Sequence, residues 1–217
     1  SAEQIVRQIA DVEIDDKISF VIKKTEEIME DSEYQGVRLS LDAYLDKTRI
    51  PLKIDISTGD VITPCEISFS YQLMFENRTI PLLAYPPETV LAEKLETILS
   101  RVEANTRLRD FYDVYILQRE DFVVTPDALC HALLATCRKR GHEDLLHTYA
   151  SILDRVRQSD TMRTQWMKYQ SDFDYAAGIT WDTVLDTVET LCMKTLDDHA
   201  FGDELPQEES QFEMHLL

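Results

Sequence analysis

Glycine is scarce in this chain, with 5 residues in 217, whereas hydrophobic residues make up 44% of it. A chain of this length and composition can bury a substantial core, as one domain or as two lobes. No apolar run approaches the ~20 residues that a membrane-spanning helix needs. The first residues also lack the basic-then-apolar order of a signal peptide. We therefore expect a cytoplasmic protein without a membrane partner.

Cysteine is also rare: the chain has 4, and none of them belongs to a CxxC pair. This pattern is typical of ordinary reduced thiols. Cysteines and histidines are grouped once, in a segment that could supply zinc ligands: Cys130, His131, Cys137, His142 and His147. Because their spacings fit no standard ligand pattern, we expect no zinc site there.

Basic residues are outnumbered, 22 against 41 acidic residues, and the formal net charge is -19. Nucleic-acid surfaces need clustered Lys and Arg, so a protein that coats itself in nucleic acid is disfavoured, although a local basic cleft is compatible with the composition. Residues 198–217 are acidic and contain no Lys or Arg. This segment predicts a solvated tail, and docking onto a basic partner is the less favoured alternative.

An alternating pattern marks the first half of the chain. Apolar residues occupy every odd position in residues 37–45 and every even position in residues 50–56. The two runs predict an antiparallel hairpin with a turn at residues 46–49. One face of the hairpin is apolar, and the other carries polar groups: Arg38, Ser40, Asp42, Lys53 and Asp55. Pro51 lacks an amide hydrogen, which indicates that its side of the strand is unpaired or bulged there.

Further strands are expected at residues 18–29, 67–73 and 79–84, in a mostly antiparallel sheet. From residue 88 the apolar period becomes helical, and helices are predicted at about 88–104, 106–117, 126–140, 143–157, 160–170 and 180–196. We expect Thr125 to cap the third of these helices and Gly141 to end it. The fold class is therefore α+β: a sheet lobe in residues 1–85, a helical lobe in residues 86–197 and the acidic tail in residues 198–217.

Charged residues interrupt the apolar helices at two places. At about 100° per residue, Lys94 and Arg101 lie nearly above one another at the border of an apolar stripe. Two snorkelling side chains are favoured by the spacing alone, and the alternative is a cleft that binds an anion.

Asp110 and Asp113 lie in a helix that is apolar nearly all round, so both carboxylates should need partners. Arg107 lies one turn before Asp110 and can pair with it. The group is either a structural salt-bridge network or a support that orients Lys94, Arg107 and Arg109 toward a triphosphate.

Asp55 is the best candidate for a metal ligand or base, because it lies on the polar face near the end of its strand. A carboxylate there can hold Mg²⁺ and leave room for substrate phosphates. Without further information, an exposed strand Asp is usually only solubilising.

Several of these residues lie in motifs that follow one another along residues 10–120. The motifs are Tyr34-Gln35-Gly36-Val37-Arg38, Lys53-Ile54-Asp55-Ile56 with Gly59-Asp60, Thr89-Val90 with Glu93-Lys94, and Arg107-Leu108-Arg109-Asp110 with Asp113. In this order they resemble the AbiEii/AbiGii abortive-infection toxins, bacterial nucleotidyltransferases related to the polymerase-beta superfamily.

The resemblance implies a set of site residues. Asp55, Lys94 and Asp110 would be catalytic, with Asp55 as the Mg²⁺ ligand. Residues that bind or position the nucleotide would be Lys53, Thr89, Glu93, Lys94, Arg107, Arg109 and Asp113. Arg109 stands where the family usually has Lys, which keeps the phosphate contact but argues against a proton-transfer role.

One family element is absent. Nucleotidyltransferases of this kind have a Gly-Ser turn followed by an Asp-x-Asp pair, and no Gly-Ser dipeptide occurs in this chain. Two-metal phosphoryl chemistry needs several carboxylates around the ions. We therefore expect this chain to be an incomplete and inactive form, in which Asp55 lacks its two companion carboxylates.

Three functions compete. The first is a toxin–antitoxin nucleotidyltransferase that transfers a nucleotide from an NTP, with Mg²⁺, to an acceptor such as RNA, and that has a cognate antitoxin protein. The second is a non-catalytic interaction protein that retains the scaffold and binds a protein partner. The third and least favoured is a nucleotidyltransferase acting on small molecules, which suits the acidic surface but matches the motifs less closely.

Overall fold

The computed structural model describes residues 2–14, 16–28, 36–57, 59–119 and 124–197. The predicted acidic tail, residues 198–217, lies outside the described residues. Contacts divide the chain into two compact units, Ser1–Val61 and Ile62–Leu217. Apart from one helix at the start of the described residues, the strands precede the helices along the chain, which confirms the α+β class.

The first unit contains one helix and a three-stranded antiparallel sheet. Helix α1 (Ala2–Ala10) is followed by β1 (Ile18–Ile28), β2 (Gly36–Leu45) and β3 (Thr48–Ile56), in the order β1-β2-β3. The predicted hairpin is confirmed as β2–β3, but its turn is only two residues long. Asp46, in that turn, has a φ of 51°, a left-handed conformation that Asp tolerates in tight hairpin turns.

The register of this sheet produces one apolar face and one polar face. Leu39 lies opposite Ile54, and Leu41 lies opposite Leu52. Val6 of α1 packs on Leu39 and Leu41 to form the small core of the unit. Burial of alternate apolar side chains therefore fixes the pairing, because a slip by one residue would expose them.

Pro51 lies within an unbroken register, opposite Asp42, on the edge strand β3. An edge position leaves one side of the strand without a ladder partner, which suits a residue that has no amide hydrogen. The register shift of the sheet lies instead in β1, between Ile22 and Lys24.

The second unit begins with a separate two-stranded antiparallel sheet, β4 (Ile67–Gln72) and β5 (Thr79–Ala84). Six α-helices follow in the described part of this unit: α2 (Pro87–Arg101), α3 (Leu108–Leu117), α4 (Pro126–Lys139), α5 (Leu145–Gln158), α6 (Asp160–Asp172) and α7 (Trp181–Leu196). Within the described part of the chain, no helix combines the length and the apolar composition that a membrane crossing requires.

Helix boundaries follow the signals in the sequence. Thr125 accepts a hydrogen bond from the Ala128 amide and so caps α4, as predicted. Gly141, with a φ of 66°, follows the end of the same helix in the left-handed conformation that glycine adopts without strain.

One apolar core joins the helices. Leu91, Leu95 and Ile98 are spaced by three and four residues on one side of α2, and all three are fully buried. Phe111 and Val114 of α3 are also fully buried, which confirms that α3 is covered on most of its surface. Charged side chains of α2 and α3 that border this core, such as Lys94 and Asp110, are only partly exposed.

Candidate functional site

Lys94 of α2 is held between two carboxylates of α3. Its Nζ lies 3.2 Å from Asp110 Oδ1 and 2.6 Å from Asp113 Oδ2. The two aspartates are three positions apart, so they project from the same side of α3 toward α2. Lys94 therefore does not simply extend into solvent, the interpretation that its spacing alone favours.

Two arginines stand beside this network at the start of α3. Arg109 is 76% exposed and its Nε lies 3.7 Å from Asp113 Oδ1. Arg107 is exposed, and its guanidinium forms no ion pair with any residue in the described ranges. The predicted side-chain pair of Arg107 with Asp110 does not form, and the two residues are joined by a backbone hydrogen bond of 3.0 Å.

A cleft of about 570 Å³ lies between the start of α3 and helix α6. Its lining residues are Thr106, Arg107, Leu108, Arg109, Asp110, Gln165, Lys168, Tyr169, Asp172 and Phe173. Three of these side chains are basic and two are acidic. The cleft is therefore locally basic, although the chain as a whole has a net charge of -19.

Two oxygens of the lining residues lack hydrogen-bond partners. Asp110 Oδ2 and Gln165 Oε1 are both buried, and neither bonds to any group of the described residues. A buried polar atom without a partner carries a free-energy cost, so such atoms are usually paired in a functional state.

Thr89 and Glu93 contact protein groups. Thr89 is fully buried, and its Oγ1 accepts a hydrogen bond from the Thr63 amide at 2.9 Å and donates one to the Thr63 carbonyl at 3.0 Å. Glu93 is partly buried and lies 3.8 Å from Arg140. Neither residue lines the cleft.

Asp55 and Lys53 belong to the first unit. Arg38 Nε and Nη2 donate to the two carboxylate oxygens of Asp55, each at 2.6 Å, across the β2–β3 register. These hydrogen bonds lower the pKa of Asp55. Lys53 lies opposite Ser40 on the same exposed polar face.

The surroundings of Asp55 do not fit a Mg²⁺ site. Both of its oxygens are occupied by Arg38, whereas Mg²⁺ needs free carboxylate oxygens and a near-octahedral ligand set. The residues that the structure describes include no group of three or more His, Cys, Asp or Glu side chains that could hold a metal ion.

The model of one protein family, the nucleotidyl transferase AbiEii toxin of type IV toxin–antitoxin systems, matches residues 1–187. The chain belongs to the AbiEii family. No curated protein and no solved structure matches it significantly. The family assignment confirms the resemblance, and at family level it makes the chain a nucleotidyltransferase toxin. Nucleotidyltransferases in general use a nucleoside triphosphate with a divalent metal ion, and a type IV system pairs its toxin with an antitoxin.

In this AbiEii chain, sequence reasoning missed the half of the cleft that α6 supplies. Gln165, Lys168, Tyr169 and Asp172 are spaced by three and four residues, which places them on one face of α6. The sequence of α6 does show a face with basic and aromatic residues and few buried positions. It does not show that this face lies beside α3, because no local pattern indicates which helices pack together.

A buried ion network on α2 was missed as well. Glu96 is almost completely buried, its Oε1 lies 2.6 Å from His142 Nδ1, and Arg140 contacts its other oxygen. The network ties α2 to the segment that follows α4. In this network His142, one of the residues grouped in the sequence as possible zinc ligands, contacts Glu96.

Proposed function

We propose that this AbiEii-family chain binds a nucleoside triphosphate at the start of α3 and acts in the transfer of a nucleotide to an acceptor. The observation that carries the proposal is the arrangement of Lys94, Asp110 and Asp113 directly beside two exposed arginines that line a cleft. Charges are expensive at the edge of an apolar core unless they pair or meet a ligand.

Within this site Arg107 and Arg109 are the phosphate contacts. A guanidinium presents a planar fork that matches phosphate oxygens, and Arg107 has no competing ion pair among the described residues. The first amides of α3 lie in the same place, where the helix dipole favours an anion.

Lys94 acts through its neighbours. Its ammonium is engaged by two carboxylates and offsets one of their two charges, and Arg109 beside Asp113 supplies the second cation, so the group repels a polyphosphate less. Asp113 also contacts Arg109 and steers it. Lys94, Asp110 and Asp113 are therefore positioning residues, whereas Glu93 lies beside Arg140.

We assign no step to a metal at Asp55. The nucleotide would enter as its Mg²⁺ complex, and the divalent ion would neutralise phosphate charge there. The Arg38–Asp55 pair instead holds β2 to β3.

The non-catalytic alternative is favoured by one observation: the candidate metal ligand Asp55 is fully engaged by Arg38. A protein of this kind would bind an NTP or an antitoxin without transferring anything.

Incubation of the full chain with α-labelled NTPs, Mg²⁺ and either total RNA or a panel of small hydroxylated acceptors separates these functions. Label that moves to RNA supports the toxin reaction, and label that moves only to small acceptors supports the third candidate. The Arg107→Ala and Arg109→Ala variants should lose transfer, whereas Arg155→Ala, an exposed and ion-paired arginine of α5, should retain it. NTP binding without transfer to either acceptor class would favour the interaction protein.

A further inference from the structure

We infer that helix α6 completes the nucleotide site: the base stacks on the aromatic surface of Tyr169 and Phe173, and Lys168 supplies a third phosphate contact. This inference rests on the proposed function and adds the recognition of the nucleoside to the same cleft.

The cleft has room for the whole ligand. Its volume of about 570 Å³ lies in the ordinary range of small-molecule sites, roughly 300–1,000 Å³. The phosphate-binding arginines come from the start of α3, and the other half of the lining comes from α6 and Phe173. A ligand held by its phosphates at α3 therefore projects its remaining atoms toward α6.

The side of the cleft formed by α6 is aromatic and partly open. Phe173 is 41% exposed, and its ring centroid lies 4.7 Å from that of Tyr169. A ring that served only to fill the core would be buried, as Phe111 and Trp166 are. An exposed aromatic face beside basic groups is the combination that proteins use to bind bases and their phosphates.

Contacts with neighbouring rings hold Tyr169 in place. Trp166 stacks on Tyr169 at 5.3 Å, and the Tyr169 hydroxyl is hydrogen bonded to that of Tyr175 at 2.9 Å. Burial and this hydrogen bond raise the pKa of Tyr169, so the ring stays neutral. A fixed platform loses little conformational freedom when a base is placed on it.

Lys168 is the basic residue that α6 contributes to the lining of the cleft. It is exposed, and its ammonium has no ion pair within the described residues. Asp172 lies one turn further along α6 and lines the cleft as well. With Arg107 and Arg109, basic groups still outnumber acidic groups around the cleft.

Two probes test the inference with the full chain: ATP and inorganic tripolyphosphate, which has the same phosphate chain and no base. We expect Phe173→Ala to weaken ATP binding roughly tenfold, the usual effect of losing one stacking partner, and to leave the Kd for tripolyphosphate within about twofold. Lys168→Ala should weaken both probes to a similar degree. Phe173→Tyr keeps an aromatic ring at this position and should bind ATP as the wild-type chain does.

Matched controls separate site effects from surface effects. Phe75 is 92% exposed at the turn between β4 and β5, and Phe75→Ala should alter neither Kd. Lys194→Ala, on the exposed side of α7, should also be neutral. If Phe173→Ala does not fold, Phe173→Leu retains apolar packing without the aromatic face and should give the same selective loss.

The inference is overturned if Phe173→Ala leaves ATP binding unchanged, or if it weakens both probes equally. In either case the proposed function stands as long as Arg107→Ala loses both probes. If the wild-type chain binds neither probe, the proposed function itself fails, and the inference falls with it.

Discussion

Lys94 of α2 and Asp113 of α3 are joined by a 2.6 Å contact between Nζ and Oδ2, at the edge of the core that the two helices share. The same ammonium contacts Asp110 at 3.2 Å, so one cation serves two carboxylates. All three side chains are mostly buried, and such a group is costly to break because a partner is then left as an unpaired charge. The charged network therefore fixes the position of α3, whose first turn carries the arginines of the cleft.

Replacing Lys94 should destabilise the protein. Lys94→Met keeps the apolar stem but leaves Asp110 and Asp113 without their cation, and we expect the free energy of unfolding to fall by about 3 kcal/mol. Urea denaturation measures the change. Lys194→Met, at an exposed position of α7, is the control and should stay within about 0.5 kcal/mol of wild type. An unchanged stability of Lys94→Met would contradict the network.

Thr89 should matter for stability and not for the nucleotide. Thr89→Val keeps the shape of the side chain but removes both hydrogen bonds to Thr63, and the Thr63 amide and carbonyl lose their partner. We expect a loss of about 2 kcal/mol in the free energy of unfolding, with the Kd for ATP unchanged. Thr148→Val on α5 removes only an exposed hydrogen bond to the Asp144 carbonyl, so it should change the free energy of unfolding by less than about 0.5 kcal/mol and leave the Kd for ATP unchanged. A selective loss of ATP binding would restore Thr89 to the nucleotide site.

Arg38 should control the ionisation of Asp55. Its hydrogen bonds lower the pKa of Asp55, so Arg38→Ala should raise that pKa toward the ordinary value of about 3.9. A carboxyl group whose pKa is lower in the folded than in the unfolded protein stabilises the fold at pH values above its unfolded pKa. This contribution is lost as the pH falls through its folded pKa. Carboxyl-detected NMR titration measures the shift directly.

The control for Arg38→Ala is Arg49→Ala, which removes another cation of the same sheet, one that lies 3.6 Å from Asp42. The pKa of Asp55 should stay low in this variant. A low pKa of Asp55 in Arg38→Ala would mean that another group stabilises the carboxylate.

The four cysteines should differ sharply in reactivity. Burial raises the pKa of both Cys137 and Cys192 to about 12, and it also raises the pKa of Cys130. Cys65 is exposed. Because the thiolate is the nucleophile, iodoacetamide at neutral pH should alkylate Cys65 first in the native protein, and all four only after unfolding. Mass spectrometry of timed samples measures the order, and early alkylation of Cys192 would contradict the packing of α7.

Local patterns predicted the elements well, since the strands and helices of this chain are strongly periodic. The apolar face of the β2–β3 hairpin follows from alternation, and Thr125 and Gly141 mark the ends of α4 through their own backbone and capping chemistry. The pairing of Leu39 with Ile54 does not follow from it, because the predicted turn at residues 46–49 would place Leu39 opposite Ile56. Helix α1 was not predicted. The division of five strands between two sheets was not predicted either, because alternation does not show which strands pair.

The candidate site could be predicted only in part. Asp110 and Asp113 were identified because a carboxylate in an apolar helix needs a partner, and Lys94 was identified through the family motif. Lys168 and Phe173 lie about 60 residues further along the chain, and no local signal shows that they meet Arg107 and Arg109. The engagement of Asp55 by Arg38 was also missed, although the two residues were placed on one face of the hairpin.

Isothermal titration of the full chain with ATP and Mg²⁺ shows whether the start of α3 binds the nucleotide. We expect binding by the wild-type protein, a loss of at least about tenfold in affinity for Arg107→Ala and for Arg109→Ala, and no change for the control Arg155→Ala. Circular dichroism and urea denaturation verify that each variant is folded. Binding that is unaffected by both cleft arginines, or no binding by a folded wild-type chain, would contradict the claim that the start of α3 is the nucleotide site.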